Sequence, residues 1–271
     1  MKALIILTVC AVTVFAGLGD DLWREANKRR PVGIDVFAAP IYGGRIIGGK
    51  EVSIEQYPFI LSLRRGIHWC GASAISNIWV VSAAHCTENT NPGGYTLLGA
   101  SSNRSSDEII FPVASITNHG RYDNITLDFD VSVIKIKGTF EGTIITPVPF
   151  VFTKKYIEEG TFATVAGWGM TSPGGSLADN LMAVNVPIVS QKNCRQQWGE
   201  SRITENMVCA GEPGRDSCNA DSGGPLIVNG QLLGVVSWGD RQCGGSFAGV
   251  YADLRSPSVR EFIENATARD A

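Results

Sequence analysis

From Ile46 onward the chain is cut into short apolar runs by Gly, Pro, Asn and Ser, and no other feature limits its fold as much. Runs at 59–63, 74–81, 109–113, 131–136, 161–166, 226–228 and 232–236 are rich in Val, Ile, Leu and Ala. Short strands closed off by turn residues predict an all-β barrel or sandwich. The proline-bearing stretch 147–150 reads as the link between two halves. Only 256–268 reads as a convincing helix. Ser256 suits the N-cap, Pro257 suits the first helical position, and Val259, Phe262, Ile263 and Ala266 form one apolar stripe.

The 271 residues are 44% apolar, enough for a sizeable core. A formal charge of −3 gives no support for nucleic-acid binding or for a polybasic membrane patch. Residues 1–19 carry Lys2, an apolar run over 3–12 and small residues around Ala16, Gly17 and Gly19, the pattern of a secretory signal peptide. No later stretch is apolar and long enough to span a membrane. Residues 20–45 are polar, carry the basic cluster Lys28-Arg29-Arg30 and read as a flexible pro-segment without cysteine. Of seven cysteines, Cys10 lies in the leader, which leaves Cys70, Cys86, Cys194, Cys209, Cys218 and Cys243. An exported chain with six cysteines expects disulfides, with fifteen pairings open in principle. No CxxC or HxxxH spacing argues for zinc, and no metal is expected.

The chemistry concentrates in Asp216-Ser217-Cys218-Asn219-Ala220-Asp221-Ser222-Gly223-Gly224-Pro225-Leu226. Serine is a poor nucleophile at neutral pH and needs a base beside it and donors aimed at the developing oxyanion. The pentapeptide from Asp221 to Pro225 alone is equally an ordinary surface turn. The chain offers three histidines, His68, His85 and His119, and His85 ends the apolar run Val80-Val81-Ser82-Ala83-Ala84-His85-Cys86. Asp130 stands at the mouth of another apolar run, Val131-Ser132-Val133-Ile134-Lys135-Ile136. A carboxylate there is costly to bury unless it is hydrogen-bonded or paired. The order His85, Asp130, Ser222 matches one of three unrelated triad lineages.

With these residues the chain resembles the chymotrypsin/trypsin-like serine protease family over about residues 45–265. The matching motifs are Arg45-Ile46-Ile47-Gly48-Gly49, Ala83-Ala84-His85-Cys86, the Asp130 strand, Gly167-Trp168-Gly169, the Ser222 loop, Ser237-Trp238-Gly239 and Gly249-Val250-Tyr251. The resemblance implies two packed six-stranded antiparallel β-barrels, about 46–148 and 149–255, followed by the helix. The peptidase domain is then 46–271, with the site in the cleft between barrels. It implies a secreted, monomeric serine endopeptidase made as a zymogen, acting on protein or peptide substrates and open to proteinaceous inhibitors. No cofactor, nucleic acid or membrane partner is implied. Ser222 is the nucleophile, His85 the base, Asp130 its orienter, and the N–H groups of Ala220 and Ser222 the oxyanion hole. Cleavage at Arg45–Ile46 frees an ammonium at Ile46 that pairs with Asp221. The family's disulfides fall on Cys70–Cys86, Cys194–Cys209 and Cys218–Cys243. Asp216 falls at the base of the primary pocket, as in members that cut after Arg or Lys, with Ser217, Ser237, Trp238, Gly239 and Gly249 lining it.

Three departures stand out. Ala220 replaces a glycine whose backbone angle suits a residue lacking Cβ. The loops 209–218 and 239–243 have chymotrypsin-type lengths, and the resemblance implies that Arg241 in the second can reach toward Asp216 and partly neutralise it. The family's calcium loop is replaced by Ala100 and a Ser/Asn-rich stretch. The alternatives are therefore a chymotrypsin-like preference, or a weakly active or non-catalytic homologue that acts as a binding or regulatory module. Asn103, Asn124 and Asn265 each head an N-x-S/T sequon and are glycosylation candidates.

Overall fold

The apolar runs pair into two closed antiparallel sheets. The computed structural model of the chain describes residues 48–88, 91–106, 109–151, 156–170, 175–217, 220–240 and 244–268, all within the unit Gly43–Ala271. Its strands are β1 Lys50–Glu51, β2 Ile60–Arg65, β3 Ile67–Ala74, β4 Trp79–Ser82, β5 Thr96–Leu98, β6 Ile110–Asn118, β7 Ser132–Ile136, β8 Phe162–Gly167, β9 Met182–Val189, β10 Met207–Ala210, β11 Pro225–Val228, β12 Gln231–Trp238 and β13 Gly249–Asp253. Two helices join them, α1 Gln191–Trp198 and α2 Pro257–Thr267.

The first barrel closes in the order β2-β3-β4-β7-β6-β5. In the second, β9, β10, β13, β12, β11 and β8 follow one another and β8 returns to β9, so six strands close again. Strand β1 adds to the second barrel at β9, through Lys50↔Ala183 and Glu51↔Met182. Among the described residues the chain therefore touches the second barrel before it builds the first. Closure removes the free edges that invite aggregation, and both barrels fill their interiors with side chains. Ile60, Leu61, Leu63, Val80, Val133 and Ile134 are buried in the first, and Val165, Val186, Leu226, Leu233 and Tyr251 in the second.

The structure corrects several local expectations. The run 74–81 is two strands and a turn, not one strand. Ser76 Oγ accepts from the N–H groups of Ile78 (3.3 Å) and Trp79 (3.0 Å), and this pins the reversal. Helix α1 was not expected; Ser190 caps it by accepting from the Asn193 N–H at 3.3 Å. Helix α2 buries Val259 and Ile263 as its stripe requires, with Pro257 in its first turn. Ser256 precedes it but makes no side-chain cap, because its hydroxyl is used 2.7 Å from Asn206 Oδ1 instead.

Candidate active site

His85 lies in a short 3₁₀ turn, Ala84–Cys86, directly after β4, and Asp130 lies two residues before β7. Strands β4 and β7 pair through Ser82↔Ser132, so barrel register alone brings the two residues together. Asp130 is fully buried, yet its carboxylate is well supplied with donors. Oδ1 accepts from the His85 backbone N–H at 2.9 Å, and Oδ2 accepts from His85 Nδ1 at 2.7 Å and from Ser237 Oγ at 2.6 Å. Because a carboxylate accepts, Nδ1 carries the proton and Nε2 of neutral His85 is left as a base. Burial lowers the affinity of His85 for a proton, but the hydrogen bond to Asp130 and its charge outweigh this and hold its pKa above 6.5. The Cys70–Cys86 disulfide fixes the turn and occupies the two sulfurs nearest His85.

Ser222 comes from the second barrel, just before β11, and is half-buried. Its carbonyl accepts from the Gly71 N–H at 2.8 Å, which ties the serine loop to β3 of the first barrel. Among the described residues no hydrogen bond joins the Ser222 hydroxyl to His85. Contacts of this kind are often long without substrate and tighten when it binds. The N–H groups of Ala220 and Ser222 have no partner among the described residues. Ala220 has φ +70°, the left-handed region that glycine adopts freely and alanine does not.

What holds Ala220 in that conformation is a residue the sequence did not single out. His68 is buried, and its Nε2 donates to the Ala220 carbonyl at 3.0 Å. A carbonyl only accepts, so Nε2 bears the proton and Nδ1 accepts from Ser62 Oγ at 2.7 Å. Burial lowers the His68 pKa to about 4, so the ring is neutral and its tautomer stays fixed near neutral pH. The only trace of this in the sequence is a histidine directly before Trp69 and Cys70 on an apolar strand.

Asp221 is buried, and its Oδ1 accepts from the Gly169 N–H at 2.9 Å. A Cβ at Gly167 or Gly169 would overlap its carboxylate, which explains the glycines on either side of Trp168. Asp216 is also buried and sits against β13: a Cβ on Gly249 would come within 2.7 Å of its Oδ1. Oδ1 accepts from the Ser217 N–H at 2.8 Å and Oδ2 from the Gly244 N–H at 3.3 Å. Desolvation dominates nonetheless and raises the pKa of Asp216 to about 7. The Tyr251 hydroxyl lies 3.5 Å from Ser217 Oγ. Trp238 ends β12 and Gly239 follows it beside Gly249, with Trp238 paired to Val250 and a Gly239 Cβ 3.6 Å from the Gly249 Cα. Ser237, expected among the pocket-lining residues, commits its hydroxyl to Asp130.

The family model described as Trypsin matches residues 46–263. The chain belongs to the trypsin family. Trypsin delta of Drosophila melanogaster is 40% identical over 222 residues, covering 79% of this chain and 86% of the relative. Trypsin 5G1 of Aedes aegypti is 37% identical over 231 residues, 83% and 85% of the two chains. Trypsin alpha-4 of Lucilia cuprina is 38% identical over 233 residues, 84% and 89% of the two chains. A trypsin-family chain of this kind is a serine endopeptidase, and the second disulfide, Cys194–Cys209, ties α1 to β10. Arg45, Ile46, Cys218, Arg241 and Cys243 lie outside the described residues, as do the leader and the whole of the pro-segment. The sequon residues Asn103, Asn124 and Asn265 are all exposed. Among the described residues no helix is long and apolar enough to cross a membrane.

Proposed function

We propose that this chain is a secreted zymogen whose activated form hydrolyses peptide bonds after Arg or Lys. The observation that supports the specificity is Asp216, a buried carboxylate read here as the base of the primary pocket, beside which Gly249 leaves no room for a side chain. Burying a charge this far is costly, and a guanidinium or ammonium arriving from a substrate offsets that cost. In the catalytic cycle Ser222 Oγ attacks the scissile carbonyl while His85 Nε2 takes its proton. The negative charge that develops on the carbonyl oxygen is held by the N–H groups of Ala220 and Ser222. His85 then gives the proton to the leaving amine, and the acyl group stays on Ser222. Water, deprotonated by the same Nε2, releases the acid and restores the serine. Throughout, Asp130 keeps Nδ1 protonated and stabilises the imidazolium, with Ser237 completing its hydrogen bonds.

Activation follows cleavage of the Arg45–Ile46 bond, which frees an ammonium that pairs with Asp221 and fixes the adjacent loop. Residues 1–19 direct export, and the third disulfide joins Cys218 to Cys243. The test is to cleave the purified precursor with immobilised trypsin and profile it on a mixed peptide library. Cleavage after Arg and Lys supports the proposal. Cleavage after Phe or Tyr would instead favour the specificity suggested by the loop lengths, and no cleavage would favour a non-catalytic homologue.

A further inference from the structure

A cavity beside the end of β12 has its own chemistry. About 540 Å³ in volume, it is bounded by Ile125 and Leu127 on the loop before Asp130, by Ser201 and Arg202 after α1, and by Trp238 and Gly239 at the end of β12. Trp238 and Gly239 stand beside the start of β13, where Gly249 packs against Asp216, so this end of the cavity lies toward Asp216. Among the described residues the edge of β12 that faced β11 has no strand partner beyond Val236, the last bonds there being Val236 N–H to the Gly224 carbonyl and Gly223 N–H to the Val236 carbonyl. An extended peptide can add to that edge as a strand, with alternate side chains facing opposite ways.

Arg202 gives the cavity its charge. Its guanidinium carbon lies 5.1 Å from the Trp238 ring centroid and 5.5 Å from that of Trp198. The two indoles meet edge to face at 4.9 Å, and Trp198 Nε1 donates to the Ala248 carbonyl at 2.9 Å, so the platform is itself fixed. Aromatic faces hold a guanidinium in place and leave its N–H fork free for a planar carboxylate. Among the described residues no carboxylate is in ion-pair contact with Arg202. Of the acids nearby in sequence and in the same loops, Glu205 pairs with Arg195 and Asp128 accepts from Thr204 at 2.7 Å and Asn206 at 3.0 Å, while Glu200, two residues before Arg202, is exposed and forms no ion pair with it among the described residues.

We propose that Arg202 makes this cavity a subsite for acidic side chains, so that the enzyme favours peptides carrying Asp or Glu two or three residues before the basic residue held over Asp216. The proposal rests on the reading of Asp216 as the primary pocket. Arg202 is exposed, so the pair it forms with substrate is of the surface kind, and a factor of about three per unit charge is expected. The experiment uses matched peptides with one Arg before the scissile bond and Glu, Gln or Lys at each of the two upstream positions. At low ionic strength kcat/KM should fall in the order Glu, Gln, Lys, spanning about tenfold at one of these positions, and the span should shrink in high salt. R202Q should bring the Glu/Lys ratio near one, and R202E should invert it. A flat ratio in the wild type, with the Gln peptide still cleaved after Arg, overturns the role of Arg202 and leaves the protease reading standing. A wild-type preference that R202Q does not change assigns the selectivity elsewhere and also overturns it. Cleavage of none of the peptides overturns both readings.

Discussion

Ala220→Gly tests the strained loop most sharply. The left-handed backbone at φ +70° costs an alanine about 1–2 kcal/mol that glycine does not incur. Against this, glycine adds roughly 0.4–1 kcal/mol of entropy to the unfolded chain. The net is a stabilisation of about 0.5–1 kcal/mol, or a Tm rise of roughly 1–4 °C for a domain of this size. The His68 bond to the Ala220 carbonyl survives the change, so the loop keeps its anchor. Relief of strain should also settle the residue 220 N–H in the oxyanion hole. Turnover of a small chromogenic ester or amide should rise a few-fold, well under the 10²–10³ that a wholly lost donor represents. Affinity for a proteinaceous trypsin inhibitor should rise more, because strain affects both ligands whereas the methyl obstructs only the larger one. The assays are thermal unfolding of the inactivated enzyme, steady-state turnover and inhibitor titration, each in both variants. If Tm falls by several degrees, or if turnover and inhibitor affinity are both unchanged, the account of Ala220 is wrong.

Asp216→Ser should cut kcat/KM on Arg substrates by about 30-fold to several thousand-fold, the range for losing one partner of a buried charge pair, while cleavage after Phe or Leu changes little. An unchanged Arg/Phe ratio would place the specificity elsewhere. Two groups govern the acid limb: His85 must be neutral to act as a base, and its pKa lies above 6.5, whereas Asp216 must be ionised to hold a cation and titrates at about 7. Lowering the pH protonates both, so kcat/KM on Arg substrates should fall more steeply than one decade per pH unit below 6.5, and benzamidine binding should weaken below about pH 7 in the wild type but not in Asp216→Ser. Arg45→Gln should leave a precursor with the triad intact and little activity; full activity in that variant would refute the zymogen proposal.

Much of the site was legible in the sequence because its parts are local and chemically unusual. His85 before Cys86, Asp130 at the head of an apolar run and Ser222 among glycines each mark themselves, and barrel register then brings His85 to Asp130. The contacts that support them were not legible. His68 reads as one more strand residue until β3 is folded against the Ser222 loop, which places its ring between Ser62 and the Ala220 carbonyl 152 residues away in sequence. Ser237 looked like a pocket wall, but its hydroxyl turned toward Asp130 from the other barrel. Strand β3 was hidden because His68, Gly71 and Ser73 break its apolar pattern, and the reversal inside 74–81 was hidden because Ser76 and Asn77 sit in an otherwise continuous apolar run. Both are cases where tertiary pairing and one side-chain hydrogen bond outweigh the local pattern.

The most direct test of the central claim, that Ser222 is an activated nucleophile, is covalent labelling with a fluorophosphonate after cleavage at Arg45, followed by peptide mapping. The account predicts one label per chain on the peptide that carries Ser222, abolished in Ser222→Ala and strongly slowed in His85→Ala. Activated wild-type protein that takes no label, or a label that persists in Ser222→Ala, would contradict it.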